Sequence, residues 1–125
     1  MENILNAHLS LCERVYDLIL QENQILKETG KAPSEEVLDR KRGLLAELEG
    51  SLERLRAANA APSPRTQSQR MLIDRTQQVV MKTLLLDREN EQLLLKGALT
   101  SKRPPASPKP SLNRLQRIYG GYYSV

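Results

Sequence analysis

Apolar residues recur along this chain at helical spacing. From Asn3 to Glu28, Leu5, Leu9, Cys12, Tyr16, Ile19 and Leu26 follow alternating steps of four and three, interrupted only by Asn23. Ile4, His8, Leu11, Val15, Leu18 and Ile25 lie one residue back and widen the stripe. That pattern predicts an amphipathic helix with one broad buried face. Thr29-Gly30-Lys31-Ala32-Pro33 ends it, because Gly30 tolerates a left-handed cap and Pro33 cannot continue the ladder. Ser34 reads as the next N-cap, with Glu35 and Glu36 facing the positive end of the helix dipole.

The second predicted helix runs to about Asn59, with a seam of Leu38, Leu45, Leu48, Leu52 and Leu55. Gly43, Ala46, Gly50 and Ala57 form a ridge of small residues on its other side. Such a ridge suits either a closely packed neighbour or an exposed face. Ala60-Ala61-Pro62-Ser63-Pro64 breaks this helix, and Ser63-Pro64 predicts the start of a third, from Arg65 to Leu99. That helix carries Met71-Leu72-Ile73, Val79-Val80-Met81, Leu84-Leu85-Leu86 and Leu93-Leu94-Leu95. Three consecutive helical residues sweep about 200°. One packed face cannot hide such runs, so the third helix is expected to carry surplus apolar surface. Thr76, Thr83 and Asn90 repeat every seven residues beside these leucines and are candidates for fixing register. The polar run Asp87-Arg88-Glu89-Asn90-Glu91-Gln92 reads as solvated surface, with Arg88 and Glu91 placed to pair.

The expected architecture is all-α. It is a long antiparallel helical hairpin extended to a three-helix, coiled-coil-like bundle over residues 1–99, with a flexible C-terminal tail over residues 100–125. Thr100 to Pro110 is a Pro-rich linker. Beyond it, Leu112, Leu115, Ile118 and Tyr119 recur on one side of a short amphipathic stretch that ends in Gly120-Gly121-Tyr122-Tyr123. A helix this short is marginal alone, so its order is expected to depend on a partner.

Composition adds three restrictions. The chain has no Phe and no Trp, so the core must come from Leu, Ile and Val, which suits helix seams better than a sheet sandwich. Cys12 is the single cysteine, which excludes an internal disulfide. The net charge of +4 is unevenly placed: residues 1–99 hold 14 Lys and Arg against all 15 acids. The tail holds Lys102, Arg103, Lys109, Arg114 and Arg117 with no acid. The basicity belongs to an appendage, and weak single-strand nucleic-acid binding through it is a lesser reading.

Candidate chemistry is sparse. His8 and Cys12 stand at i, i+4 and make half a metal site at most, better read as core residues. No phosphate loop, nucleophile motif or further Cys/His cluster is present, so the reading is non-enzymatic, with no cofactor, metal or catalytic residue. The N-terminus lacks the basic start and apolar stretch of a signal peptide, and no run reaches the roughly 20 apolar residues of a membrane span. A cytoplasmic protein is expected. Lys102-Arg103-Pro104-Pro105-Ala106-Ser107-Pro108 fits a polyproline II ligand pattern, but a spacer is the simpler reading.

Leu84-Leu85-Leu86-Asp87-Arg88-Glu89-Asn90-Glu91-Gln92-Leu93-Leu94-Leu95-Lys96 on a long third helix resembles the FlgN-type flagellar export chaperones. So do Leu18-Ile19-Leu20-Gln21-Glu22-Asn23-Gln24-Ile25-Leu26 and, after a short loop, Arg40-Lys41-Arg42-Gly43-Leu44-Leu45. The likeness spans roughly residues 5–99. It implies an ATP-independent chaperone of the flagellum or a related type III secretion system. Such chaperones hold hook-associated junction proteins or similar secretion substrates and deliver them to an export-gate component. On the residues themselves, the expected partner-binding set is Leu85, Leu86, Leu93, Leu94 and Leu95 on the third helix, with Leu112, Leu115, Ile118, Tyr119, Tyr122 and Tyr123 in the tail. The alternative is a structural coiled-coil oligomer subunit or adaptor, a homodimer included, in which self-association buries the same surface.

Overall fold

The computed structural model describes residues 2–59, 64–100, 115 and 117–119, with the side chains of 98–100 excepted. It contains three long helices, α1 (Glu2–Thr29), α2 (Glu35–Ala58) and α3 (Gln67–Thr100). Residues 115 and 117–119 are also helical. The described residues are all-α, and α1 is the central element. It packs against both α2 and α3, whose backbones do not approach one another. The cross-links set the directions. His8 meets Ser51, Arg14 meets Glu47 and Glu22 meets Lys41, so α1 and α2 are antiparallel. Ile19 and Asn23 meet Asn90, and Gly30 meets Gly97, so α1 and α3 run the same way.

The helix ends follow local chemistry. α1 stops where Gly30 turns to φ +67° and its N–H donates to the Leu26 carbonyl. Ser34 occupies the N-cap of α2 with extended backbone but makes no side-chain cap bond there. α3 begins two residues later than the Ser63-Pro64 signal implies. Thr66 and Gln69 form a reciprocal capping box: the Gln69 N–H donates to Thr66 Oγ1 at 3.1 Å, and the Thr66 N–H to Gln69 Oε1 at 3.0 Å. Two orphan donors of the first turn are thereby satisfied.

The core joins Leu11, Cys12, Val15 and Ile19 of α1 to Leu45, Leu48 and Leu52 of α2 and Val80 of α3. Leu115, Ile118 and Tyr119 belong to the same cluster. Ile19, Leu48, Leu115 and Tyr119 have essentially no exposed surface. The glycine ridge of α2 is not a packing seam. A Cβ on Gly43 would meet nothing, and on Gly50 only the end of Arg54. The close approach lies instead at Gly97, where a Cβ would fall 2.7 Å from the Gly30 carbonyl oxygen.

Candidate functional site

α3 is built unlike the other two helices. Its inward face is mostly polar: Thr76, Thr83, Asp87 and Asn90 are buried, with Val80 among them. At about 100° per residue these five lie within an arc of about 80°. Three of the four polar groups are hydrogen-bonded. Thr76 and Thr83 donate back to the Leu72 and Val79 carbonyls, both at 2.7 Å. Asn90 donates to the Ile19 carbonyl at 3.0 Å and accepts from Asn23 Nδ2 at 2.9 Å. The residue that interrupts the α1 seam therefore meets the residue that interrupts the α3 leucines.

Because polar groups take the inward face, apolar ones are displaced outward. Among the described residues, Met71 (64 %), Met81 (52 %), Leu85 (61 %) and Leu95 (49 %) are the exposed large apolar side chains. They fall within about 120° on the side nearly opposite Asn90. Leu86, Leu93 and Leu94 are half-buried. Of the five α3 leucines expected to meet a partner, Leu85 and Leu95 are open to one. Met71 and Met81 extend the same stripe toward the start of α3; they stand in apolar runs visible in the sequence but were not singled out there. The run 87–92 is divided between faces. Arg88, Glu89 and Gln92 are exposed while Asp87 and Asn90 are buried, so it is not simply solvated surface.

The tail residues divide differently. Leu112, Tyr122 and Tyr123 lie outside the described residues. Leu115, Ile118 and Tyr119 are seated in the core at 0, 7 and 0 % exposure. They therefore occupy an internal site rather than await an external one. The physical reason is geometric. α2 and α3 flank α1 with their backbones apart, leaving an apolar trough that three side chains at i, i+3 and i+4 can fill.

Two buried polar clusters bracket that trough. Toward one end, His8 Nδ1 lies 2.8 Å from Ser51 Oγ and His8 Nε2 3.5 Å from Cys12 Sγ. Burial depresses the His8 pKa from 6.5 to about 4, so the ring is neutral. Burial raises the Cys12 pKa to about 11, opposed by a hydrogen bond with the Tyr119 side chain and assisted by the Glu13 charge. A sealed, protonated thiol is not poised for nucleophilic chemistry. Toward the other end, Lys41 of α2 is 2 % exposed, with Nζ 2.9 Å from Glu22 Oε1 and 3.9 Å from Asp87 Oδ1. Neither Asp87 oxygen has a hydrogen-bond partner among the described residues. Burial raises the Asp87 pKa from 3.8 to about 7, with Lys41 pulling it down and Glu22 and Glu91 pushing it up. A proton on Asp87 leaves Lys41 and Glu22 as a balanced pair.

Among the described residues, no group of three or more His, Cys, Asp or Glu side chains is placed to hold a metal ion. No described helix is long and apolar enough to cross a membrane. Compared with known proteins, the chain matches no family model, no curated protein and no solved structure.

Proposed function

We propose that this chain is a helical holder of other polypeptides, an export chaperone for partly helical secretion substrates of the flagellar type. The observation that carries the reading is the stripe of Met71, Met81, Leu85 and Leu95 along α3. An amphipathic client helix lays its apolar face on such a stripe through anchors spaced by turns, and methionines adapt to varied partners. Arg75, Lys82, Arg88 and Lys96 alternate with Asp74 and Glu89 around it, supplying a mixed polar rim. The resemblance of the Leu84–Lys96 run to FlgN-type chaperones supplies the client class, a hook–filament junction protein or a similar substrate.

The test is co-elution of the full chain with the C-terminal helical part of a hook–filament junction protein. The unmodified chain is expected to retain it, and Met81→Arg with Leu85→Arg to release it at unchanged helicity. Light scattering across concentration on the same samples addresses the other use of this stripe. A constant oligomer that the double variant dissociates, with no client retained, replaces the chaperone reading by that of a structural subunit.

A further inference from the structure

We infer that the trough above Cys12 is a second docking site, for an amphipathic helix presenting large apolar side chains at i, i+3 and i+4, and that the chain's own C-terminal segment closes it as a built-in competitor. The inference deepens the proposed function and rests on it, since it assigns a second surface to a holder of helical polypeptides.

Four observations carry it. First, the side chains clustered with the segment are apolar: Leu11, Val15 and Ile19 on α1, Leu45 and Leu48 on α2, Val80 on α3. Second, what fills it is bounded in sequence by Pro110 and Gly120-Gly121, leaving at most about nine residues for a helix, of which 115 and 117–119 are described and helical. A piece of that length has almost no helical stability of its own, so its order comes from the trough. Third, its pattern states the chemistry of a substitute: Leu115, Ile118 and Tyr119 are the side chains that enter, while Arg117 between them is exposed. Fourth, the piece is joined to α3 through residues 101–114, which are long enough to span roughly 50 Å when extended. Release therefore requires no movement of α1, α2 or α3. A tethered ligand faces an effective concentration in the millimolar range, so an external helix competes only by binding more tightly or at several points.

Cys12 offers a direct readout, because it is the single cysteine and Tyr119 lies against it. While the trough is closed the thiol is sealed and protonated; once it is open the thiol recovers ordinary reactivity. The full, unmutated chain is treated with a thiol-reactive dye in 0 to about 1 M urea. Opening of the segment alone exposes little surface, so modification should be nearly independent of urea and faster than global unfolding permits. Tyr119→Ala should accelerate it at least tenfold, and the milder Tyr119→Phe less, with the helical unfolding midpoint moving far less. A second arm uses a fluorescein-labelled peptide of residues 111–125. It should bind the Tyr119→Ala chain at least tenfold more tightly than the unmutated chain, whose own segment competes.

Modification that follows global unfolding, with the same urea dependence, would overturn the inference by showing an integral core element. So would a peptide that binds neither chain, or both equally. Adding Leu85→Arg separates this from the α3 stripe. Peptide binding should not change, and loss of client capture with intact peptide binding condemns neither surface for the other's failure.

Discussion

Replacing Asp87 with Asn should expose a pH dependence that the unmodified chain conceals. Asp87 is fully buried on α3 and faces Lys41 of α2 and Glu22 of α1, with Glu91 nearby on its own helix. Its carboxyl titrates near 3.8 when unfolded and at about 7 when folded. Between those values the folded chain holds a proton that the unfolded chain has lost, so stability falls as pH rises. At about 1.4 kcal/mol per pKa unit the full effect is on the order of 4 kcal/mol. His8 acts in the opposite sense: it titrates at 6.5 unfolded and at about 4 folded. From pH 4 to 6.5 the unfolded chain holds the extra proton, so stability rises with pH, by on the order of 3 kcal/mol. The two largely cancel over their shared range. The unmodified chain should show a flat profile from about pH 4.5 to 6 and a modest decline toward 7.5. Asp87→Asn keeps the shape, removes the Asp87 linkage and leaves the His8 slope, so its stability should climb by about 2 kcal/mol or more across pH 4.5–6.5. Urea titrations followed by far-UV circular dichroism at half-unit pH intervals measure this. An equally flat profile in the variant would refute the reasoning, as would a loss above about 2 kcal/mol at pH 7.5.

Leu48→Ala should cost about 2–5 kcal/mol by urea denaturation, since Leu48 is fully buried between α1 and the C-terminal segment's cluster. Asn90→Ala should cost about 1–3 kcal/mol, because it removes the bonds Asn90 makes with Asn23 and the Ile19 carbonyl and leaves the Asn23 amide only Glu89 at 3.2 Å; an Asn23→Leu/Asn90→Leu pair should recover part of it. Gly97→Ala should lower the thermal midpoint although alanine is the better helix former by about 1 kcal/mol, because its methyl would meet the Gly30 carbonyl. The same change at exposed Gly43 should raise the midpoint.

The three helices were readable from apolar spacing because 3.6-residue periodicity acts locally, and so were the breaks after Thr29 and between Ala58 and Gln67. The capping box at Thr66 and Gln69 was also present as a Thr-x-x-Gln signal, masked by the stronger appearance of Ser63-Pro64. The α3 faces were harder. Apolar runs told that α3 carries more leucine than one face can bury, but not which leucines lose the competition. That was decided by Asn23 on α1 and Lys41 on α2, whose buried polar ends demand Asn90 and Asp87 opposite them. Leucines on the same helix are rotated outward as a result. The docking of Leu115, Ile118 and Tyr119 depends on a trough that exists only after α1 has collected α2 and α3. Their own spacing shows an amphipathic segment without showing whether its partner is another chain or this one.

The two buried polar clusters act on the bundle as a pair of stops on a ruler. His8 with Ser51 marks one end of the α1–α2 contact, Glu22 with Lys41 the other, and the buried side chains between them are apolar. Leucine seams alone would let two helices slip past each other by a heptad at modest cost, since one leucine replaces another. Here a slip would strand a charged pair and a histidine at the same moment. A heptad inserted into α1 or α2 alone between the stops would therefore break one of the two buried pairs, whereas heptads inserted in phase into both would keep them. Helix length between the stops is thus a shared quantity, held in common by α1 and α2 and not adjustable in either alone.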